Sequence, residues 1–281
     1  MSIAPKRCRA VFEKLEEDLV KLSSKPRVES VHRFRTGTRR LQILLNELSP
    51  KLGRSEKKLL KLLGRIRKRA GKVRDLDVQL AALRSLKIPR EPRRKTQMMN
   101  HLIELRGKQE KKLRKEVDKK TTAEIVSRLR RARKDFNPAT SPEPLTVATK
   151  MLQGIDPNTP VSEVLLHQYR ILSKRARYAA EFSGKSKEAV ELVARIKRLQ
   201  DVLGDWHDWF TLTRTASAHL GEMKDSPLVA ELHNVTGAKF RHAVAALSEM
   251  RGVGTAKAKP TVTPTPARAP AQETRPVSSA A

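Results

Sequence analysis

Two stretches of this 281-residue chain place the same residue types at the same spacing. VHRFRTGTRRLQILLNEL, from Val31 to Leu48, carries His32, Arg35, Arg39 and Arg40. LLHQYRILSKRARYAAEF carries His167, Arg170, Lys174 and Arg175, its histidine 135 residues after the first. Both read His-x-x-Arg-x-x-x-(Arg/Lys)-Arg. The chemistry open to such rows is anion capture. A guanidinium offers two parallel N–H donors to a phosphate, an ammonium is a mobile point charge, and an imidazole donates more strongly as pH falls.

For the rows to act together, regular structure has to align them. At about 100° per residue on a helix, His32, Arg35 and Arg39 fall within about 60° of one another, with Arg40 on the flank. Val31, Phe34, Leu41, Leu45 and Leu48 gather opposite them, as Leu165, Tyr169, Leu172, Ala176 and Ala180 do in the second copy. Each stretch is predicted to be a helix with one buried and one cationic stripe. The repetition predicts a duplicated fold with two facing basic surfaces. The repeat continues, because RIRKRAGKVRDLDVQL in the first half corresponds to RIKRLQDVLGDWHDWF in the second.

The remaining chain is punctuated by proline and glycine. Helices are predicted over 5–23, 55–87, 94–118, 121–135, 161–183, 186–219 and 227–250, with breaks at Pro26, Ser49-Pro50, Pro89, Pro92 and Ser183-Gly184. In 55–87, Leu59, Leu62, Leu63, Ile66, Val73, Leu76, Leu80 and Leu83 make the apolar stripe. Lys61, Arg65, Lys68, Lys72 and Asp75 oppose it as a further, mostly cationic row. No strand alternation is visible, so the fold class is all-α. The halves are expected at about 5–136 and 161–250, joined by a Pro-rich connection, 137–160, that is interrupted only by the apolar patch Leu145–Leu152. Residues 252–281, rich in Ala, Pro and Thr, are expected to be a disordered tail.

Composition narrows the partner. The 60 Lys+Arg against 30 Asp+Glu give a net charge of +30, which favours polyanions: nucleic acid, an anionic membrane surface or a phosphate polymer. Aromatic residues are 4%, too few for a platform of stacked bases. A single cysteine, Cys8, excludes an intrachain disulfide and a four-cysteine zinc site. No apolar run approaches the ~20 residues of a membrane span, and the N-terminus has no signal core. A soluble, cytoplasmic protein is expected, with no membrane contact.

Catalytic and metal motifs are sparse. There is no Gly-rich phosphate loop, nucleophile elbow or triad spacing. Neither His32 nor His167 has a second ligand at i+4, so no metal is assigned to them, and no cofactor is expected. Asp201, Asp205 and Asp208 share a stripe that could hold Mg²⁺, although pairing with the surrounding arginines is favoured. Asp77 projects on an apolar face and is expected to be the buried partner of an arginine. Trp206, Trp209 and Phe210 read as core.

VHRFRTGTRRL, RDLDV, LHQYRILSKRARY and LQDVLGDWHD, in that order, resemble the signature segments of the CHAD domain, the conserved-histidine α-helical domain, over most of residues 5–250. The resemblance implies two four-helix bundles related by pseudo-twofold symmetry. It also implies a basic cavity between them that binds inorganic polyphosphate through positions matching His32, Arg35, Arg39, Arg40, His167, Arg170, Lys174 and Arg175. Residues 106–134 add a charged stretch to the first half, and the tail has no counterpart in the family. The triphosphate-handling catalytic domain often fused to such proteins is not expected within these residues.

The leading expectation is non-catalytic polyphosphate binding through these residues and the row Lys61, Arg65, Lys68 and Lys72, with placement at polyphosphate granules. The alternative is a basic nucleic-acid-binding protein, with nucleic acid held at low salt in either case. A weaker alternative is a metal-dependent phosphoanhydride hydrolase.

Overall fold

The computed structural model describes residues 3–87, 92–153, 159–184 and 186–251. The expected disordered tail, 252–281, lies outside the described residues. Among those residues there are nine α-helices, three single 3₁₀ turns and no strand. The helices are α1 (Pro5–Ser24), α2 (Val28–Glu47), α3 (Arg54–Ser85), α4 (Pro92–Glu116) and α5 (Lys119–Asp135), then α6 (Pro144–Leu152), α7 (Glu163–Ala180), α8 (Lys187–Leu220) and α9 (Pro227–Arg251).

Local chemistry sets the boundaries. Pro5 and Pro144 occupy first helical positions, where the missing N–H costs nothing. Ser162 and Ser186 cap α7 and α8 by accepting the amides of Leu165 and Ala189. Gly184 and Gly221 adopt φ of 86° and 94°, a left-handed backbone open to glycine, and close the turn after α7 and the end of α8. The apolar patch Leu145–Leu152, predicted as an interruption in a connection, is helix α6, and it packs against α7. A Pro-rich flank does not prevent a helix when proline falls at its first turn.

Helices adjacent in sequence pack on one another: α1 on α2, α2 on α3 and α3 on α4, then α6 on α7, α7 on α8 and α8 on α9. α5, the added charged stretch, lies on α1 and α3. The most extensive contacts between the halves are those of α2 with α7, α3 with α8 and α4 with α8. On α2, Val31, Phe34, Leu41 and Leu44 are fully buried, each contributing about 1.5–3 kcal/mol by leaving water.

The apolar residues form three clusters, and these do not follow the halves of the sequence. One joins α1, α2, α5 and the start of α3 to the C-terminal end of α7. Another joins the C-terminal end of α3 to α4, the end of α8 and the start of α9. The last, around Trp206, joins the start of α7 to the middle of α8 and the end of α9. Trp206 is buried as expected, while Trp209 and Phe210 pack at cluster edges. Asp77, with its side chain 4% exposed, accepts from Arg106 Nε at 2.7 Å, the arginine pairing anticipated for it.

Candidate functional site

The apolar stripe of α2 turns its opposite face toward α7, and α1, α3 and α8 enclose the space beside them. The result is a cleft of ≈ 1280 Å³ lined by residues of all five helices. His32, Arg35, Arg39 and Arg40 of the first row line it, and so do Arg170 and Lys174 of the second. His167 sits outside this lining, its ring stacked on His207 with centroids 5.6 Å apart. Arg175 also lies outside and is exposed, donating through Nη2 to Glu47 at 2.5 Å. Lys61, Arg65, Lys68 and Lys72 are exposed and do not enter the cleft; Arg65 pairs with Glu116 at 2.8 Å.

On α3 a different stripe faces inward, about 120° round the helix from the lysine row. It runs Arg67, Gly71, Arg74 and Val78, of which Arg74 and Val78 line the cleft together with Asp75. A Cβ on Gly71 would lie 2.5 Å from Arg35 Nη1, so the guanidinium of Arg35 rests on bare α3 backbone, with Asp75 Oδ1 3.9 Å from its Nη2. Sequence reading missed this stripe because a glycine and a valine dilute its charge. It also missed Arg7, Lys14 and Lys21 of α1 and Arg177 of α7, which complete the lining. Their i, i+7 spacing on α1 was the available signal.

The repeat is visible in the contacts. Arg35 faces Asp75, and Arg170 feels the charge of Asp208. His32 lies near Arg74, and His167 near His207. Val73 and Trp206 are the buried residues between them. The matching segments are therefore Gly71–Asp75 and Gly204–Asp208, which moves the block alignment of the two sequences by three positions. The buried side chain and the arginine-facing aspartate fix the register, not the Arg-Ile pair that opens both blocks.

The flanking arginines of the two rows do parallel work. Arg40 Nε donates to Glu181 Oε2 at 2.9 Å, just beyond α7, while Arg175 of α7 donates to Glu47 at the end of α2. Each helix thus sends its fourth row residue to a glutamate at the end of the other. Arg177 Nε lies 3.5 Å from Glu181 Oε1, and Arg7 donates to the Glu181 carbonyl. Arg40 and Arg177 also lie over the ring of Tyr178, 5.6 and 5.1 Å from its centroid.

Several cations in and beside the cleft make no direct ion pair. Among the described residues no ion pair is formed by Arg39, Arg67, Arg170 or Lys174, and the buried Nε atoms of Arg67 and Arg170 have no hydrogen-bond partner. Burial, and then the charge of Arg170 and Arg39, push the Lys174 ammonium down to about 7. Burial pushes Arg35 down to about 10, the largest opposing influence being Asp75. Arg170 and Arg67 are lowered chiefly by burial. His32 and His167 are lowered by burial first, and next by Arg74 and His207 respectively. Burial is the first cause of each of these shifts.

Carboxylates also line the cleft. Asp18, Asp75, Glu181, Asp201, Asp205 and Asp208 are among them, and Asp205 is held at 2.7 Å by Lys239, a lysine where an arginine partner was expected. Nδ1 of His207 lies 3.5 Å from Asp208 Oδ1.

The fold and site define an all-helical protein in which two repeated His/Arg helices border one cationic cleft. The sequence profile of the CHAD domain matches residues 6–217, and the chain belongs to that family. Among solved structures, it is similar to the CHAD domain from the plant Ricinus communis, with 18% identity and a TM-score of 0.59, covering 86% of this chain and 89% of that one. It is also similar to PptA from Streptomyces chartreusis, with 15% identity and a TM-score of 0.58, covering 88% of this chain and 95% of that one. At these identities the likeness concerns the fold. No curated protein matches the sequence. No helix among the described residues is long and apolar enough to cross a membrane.

Proposed function

We propose that the chain binds inorganic polyphosphate in the cleft between α2 and α7, without turning it over. The observation that carries this reading is the convergence of cations from both repeated rows on one cleft, where Arg39, Arg170 and Lys174 form no ion pair among the described residues. An unbranched chain of phosphates has no base or sugar to be read, and it needs only donors and charge along its path. The lining suits that. Its aromatic rings are Tyr178 and Phe182, and Tyr178 already carries two guanidiniums on its ring, which leaves little platform for a base.

The same reading treats α1–α4 and α6–α9 as two four-helix units about a pseudo-twofold axis. Contacts of α2 with α7 and of α3 with α8 are what such an axis requires, because each joins an element to its own repeat. Recruitment to polyphosphate granules follows from the binding.

Nucleic acid is a weaker ligand favoured by one feature, the exposed row Lys61, Lys68 and Lys72 outside the cleft. A competition titration of long-chain polyphosphate against RNA and duplex DNA at matched salt tests the choice. Polyphosphate should displace both at physiological ionic strength. Displacement of polyphosphate by duplex DNA would refute the reading.

A further inference from the structure

Arginines from three helices meet at the turn that follows α7. Arg40 of α2 donates from Nε to Glu181 Oε2 at 2.9 Å, and Arg177 of α7 places its Nε 3.5 Å from Glu181 Oε1. Arg7 of α1 donates to the Glu181 carbonyl. The guanidiniums of Arg40 and Arg177 also lie over the ring of Tyr178, 5.6 and 5.1 Å from its centroid. All five residues line the cleft. The turn is itself fixed, because Phe182 is buried and its carbonyl accepts from the Ala4 amide at 2.9 Å.

A guanidinium carries its donors in a rigid fork, and the terminal Nη pair is one edge that can match a phosphate bidentately. Glu181 meets both arginines on the Nε side, and among the described residues no other carboxylate pairs with either. The matched pair of the other half is arranged differently. Arg175 gives its Nη2 to Glu47 at 2.5 Å and lies outside the cleft lining. Its fork is spent on the carboxylate, whereas the forks of Arg40 and Arg177 are not.

We propose that Glu181 is a positioning residue for polyphosphate, holding Arg40 and Arg177 by their Nε sides against Tyr178 so that their Nη groups meet the phosphates. The role rests on the function proposed above. Ordering a long, flexible side chain at the moment of binding costs affinity, and a fork already held in the free protein avoids that cost. Three guanidiniums against one carboxylate leave the cluster cationic. The expected sign is the opposite of bulk electrostatics. Glu181 is an anion in a site for an anion, so if net charge alone mattered its removal would strengthen binding.

The test titrates long-chain polyphosphate against the full chain, Glu181→Gln, Glu181→Asp and Glu47→Gln at several salt concentrations, with thermal melts as a control of the fold. Glu181→Gln should bind about ten- to thirtyfold more weakly, although the cleft gains a positive charge. Glu181→Asp keeps the charge but withdraws the carboxylate, and it should weaken binding as well; it carries the test if Glu181→Gln does not fold. Glu47→Gln makes the same change of charge at the matched pair and should bind like the wild type or slightly tighter. The slope of log K against log[salt] should become shallower by roughly 0.7–1.8 in Glu181→Gln, the loss of one or two phosphate contacts. With Arg40→Gln and Arg177→Gln already in place, Glu181→Gln should cause no further loss, which a general role in stability would not produce. Binding by Glu181→Gln that equals or exceeds the wild type, or a further loss without the two arginines, would overturn the role and leave polyphosphate binding standing. Failure of the wild type to bind polyphosphate would refute the proposed function and this role with it.

Discussion

Polyphosphate binding should take up a proton, and Lys174 is where it should go. In the empty cleft its ammonium is pushed down to about 7 by burial and by Arg170 and Arg39; a phosphate chain supplies the missing counter-charge and should return it toward its ordinary 10.5. The sign follows from linkage. The bound state holds the proton more tightly, so affinity is greatest below pH 7 and falls as pH rises through it. If the bound value lies well above 9, raising pH from 7 to 9 weakens binding by about fifty-fold, approaching tenfold per unit at the alkaline end. Interior phosphates of the ligand do not titrate in this window, and Arg35, lowered only to about 10, contributes little below pH 9. Isothermal titration at constant ionic strength, in buffers of different ionisation enthalpy, measures proton uptake directly. About half a proton should be taken up per site at pH 7 and nearly one at pH 8.5. Lys174→Arg keeps the charge at every pH and should flatten the profile while binding well at pH 7. A flat wild-type profile, or an unchanged slope in Lys174→Arg, would refute the reasoning.

Arg39→Gln and Arg170→Gln together should cost far more affinity than Lys61→Gln with Lys68→Gln, at equal loss of charge. Each charge-assisted contact contributes about 1.5–3 kcal/mol, or roughly ten- to a hundredfold, and equal losses from both pairs would indicate a diffuse field instead of a cleft. Gly71→Ala should separate stability from binding. Alanine favours the interior of α3 by about 0.8–1 kcal/mol, but its Cβ would lie 2.5 Å from Arg35 Nη1 and unseat the guanidinium, so melting temperature should hold or rise while affinity drops. Unchanged affinity would mean Arg35 needs no such seat. Stability should also decline on acidification from pH 7.5 to 5.5. The stacked rings of His101 and His219, 3.7 Å apart, join α4 to α8, and His101 is lowered by burial and then by His219. The unfolded chain therefore binds the proton first, and stability present above about 6.5 is lost below it. His101→Gln should flatten that decline in a thermal melt; His32 and His167, lowered in the same direction, account for what remains.

The sequence alone determined the all-helical class, because apolar residues recur at helical spacing and proline and glycine mark the breaks. It determined the two rows as well. Arg35, Arg39 and Arg170 oppose Val31, Phe34, Leu41 and Leu165, and once those are buried the row has one direction left to face. Asp77 was legible for the same reason, as a charge on an apolar stripe. Which cationic faces meet was not legible, since a helix cannot report the rotation of a helix distant in sequence. Lys61, Arg65, Lys68 and Lys72 make as regular a stripe as Arg67, Gly71 and Arg74, yet α3 packs so that the second faces α2 and the first faces solvent. Only the contacts between α2 and α7 separate Arg39, left without a counter-ion, from Arg40 and Arg175, which are neutralised by Glu181 and Glu47. The lowered proton affinity of Lys174 belongs mainly to the tertiary structure. Burial is its first cause and Arg39 and Arg35 are brought in from α2; only Arg170, one turn back on the same helix, could be read from the lysine's neighbours in sequence.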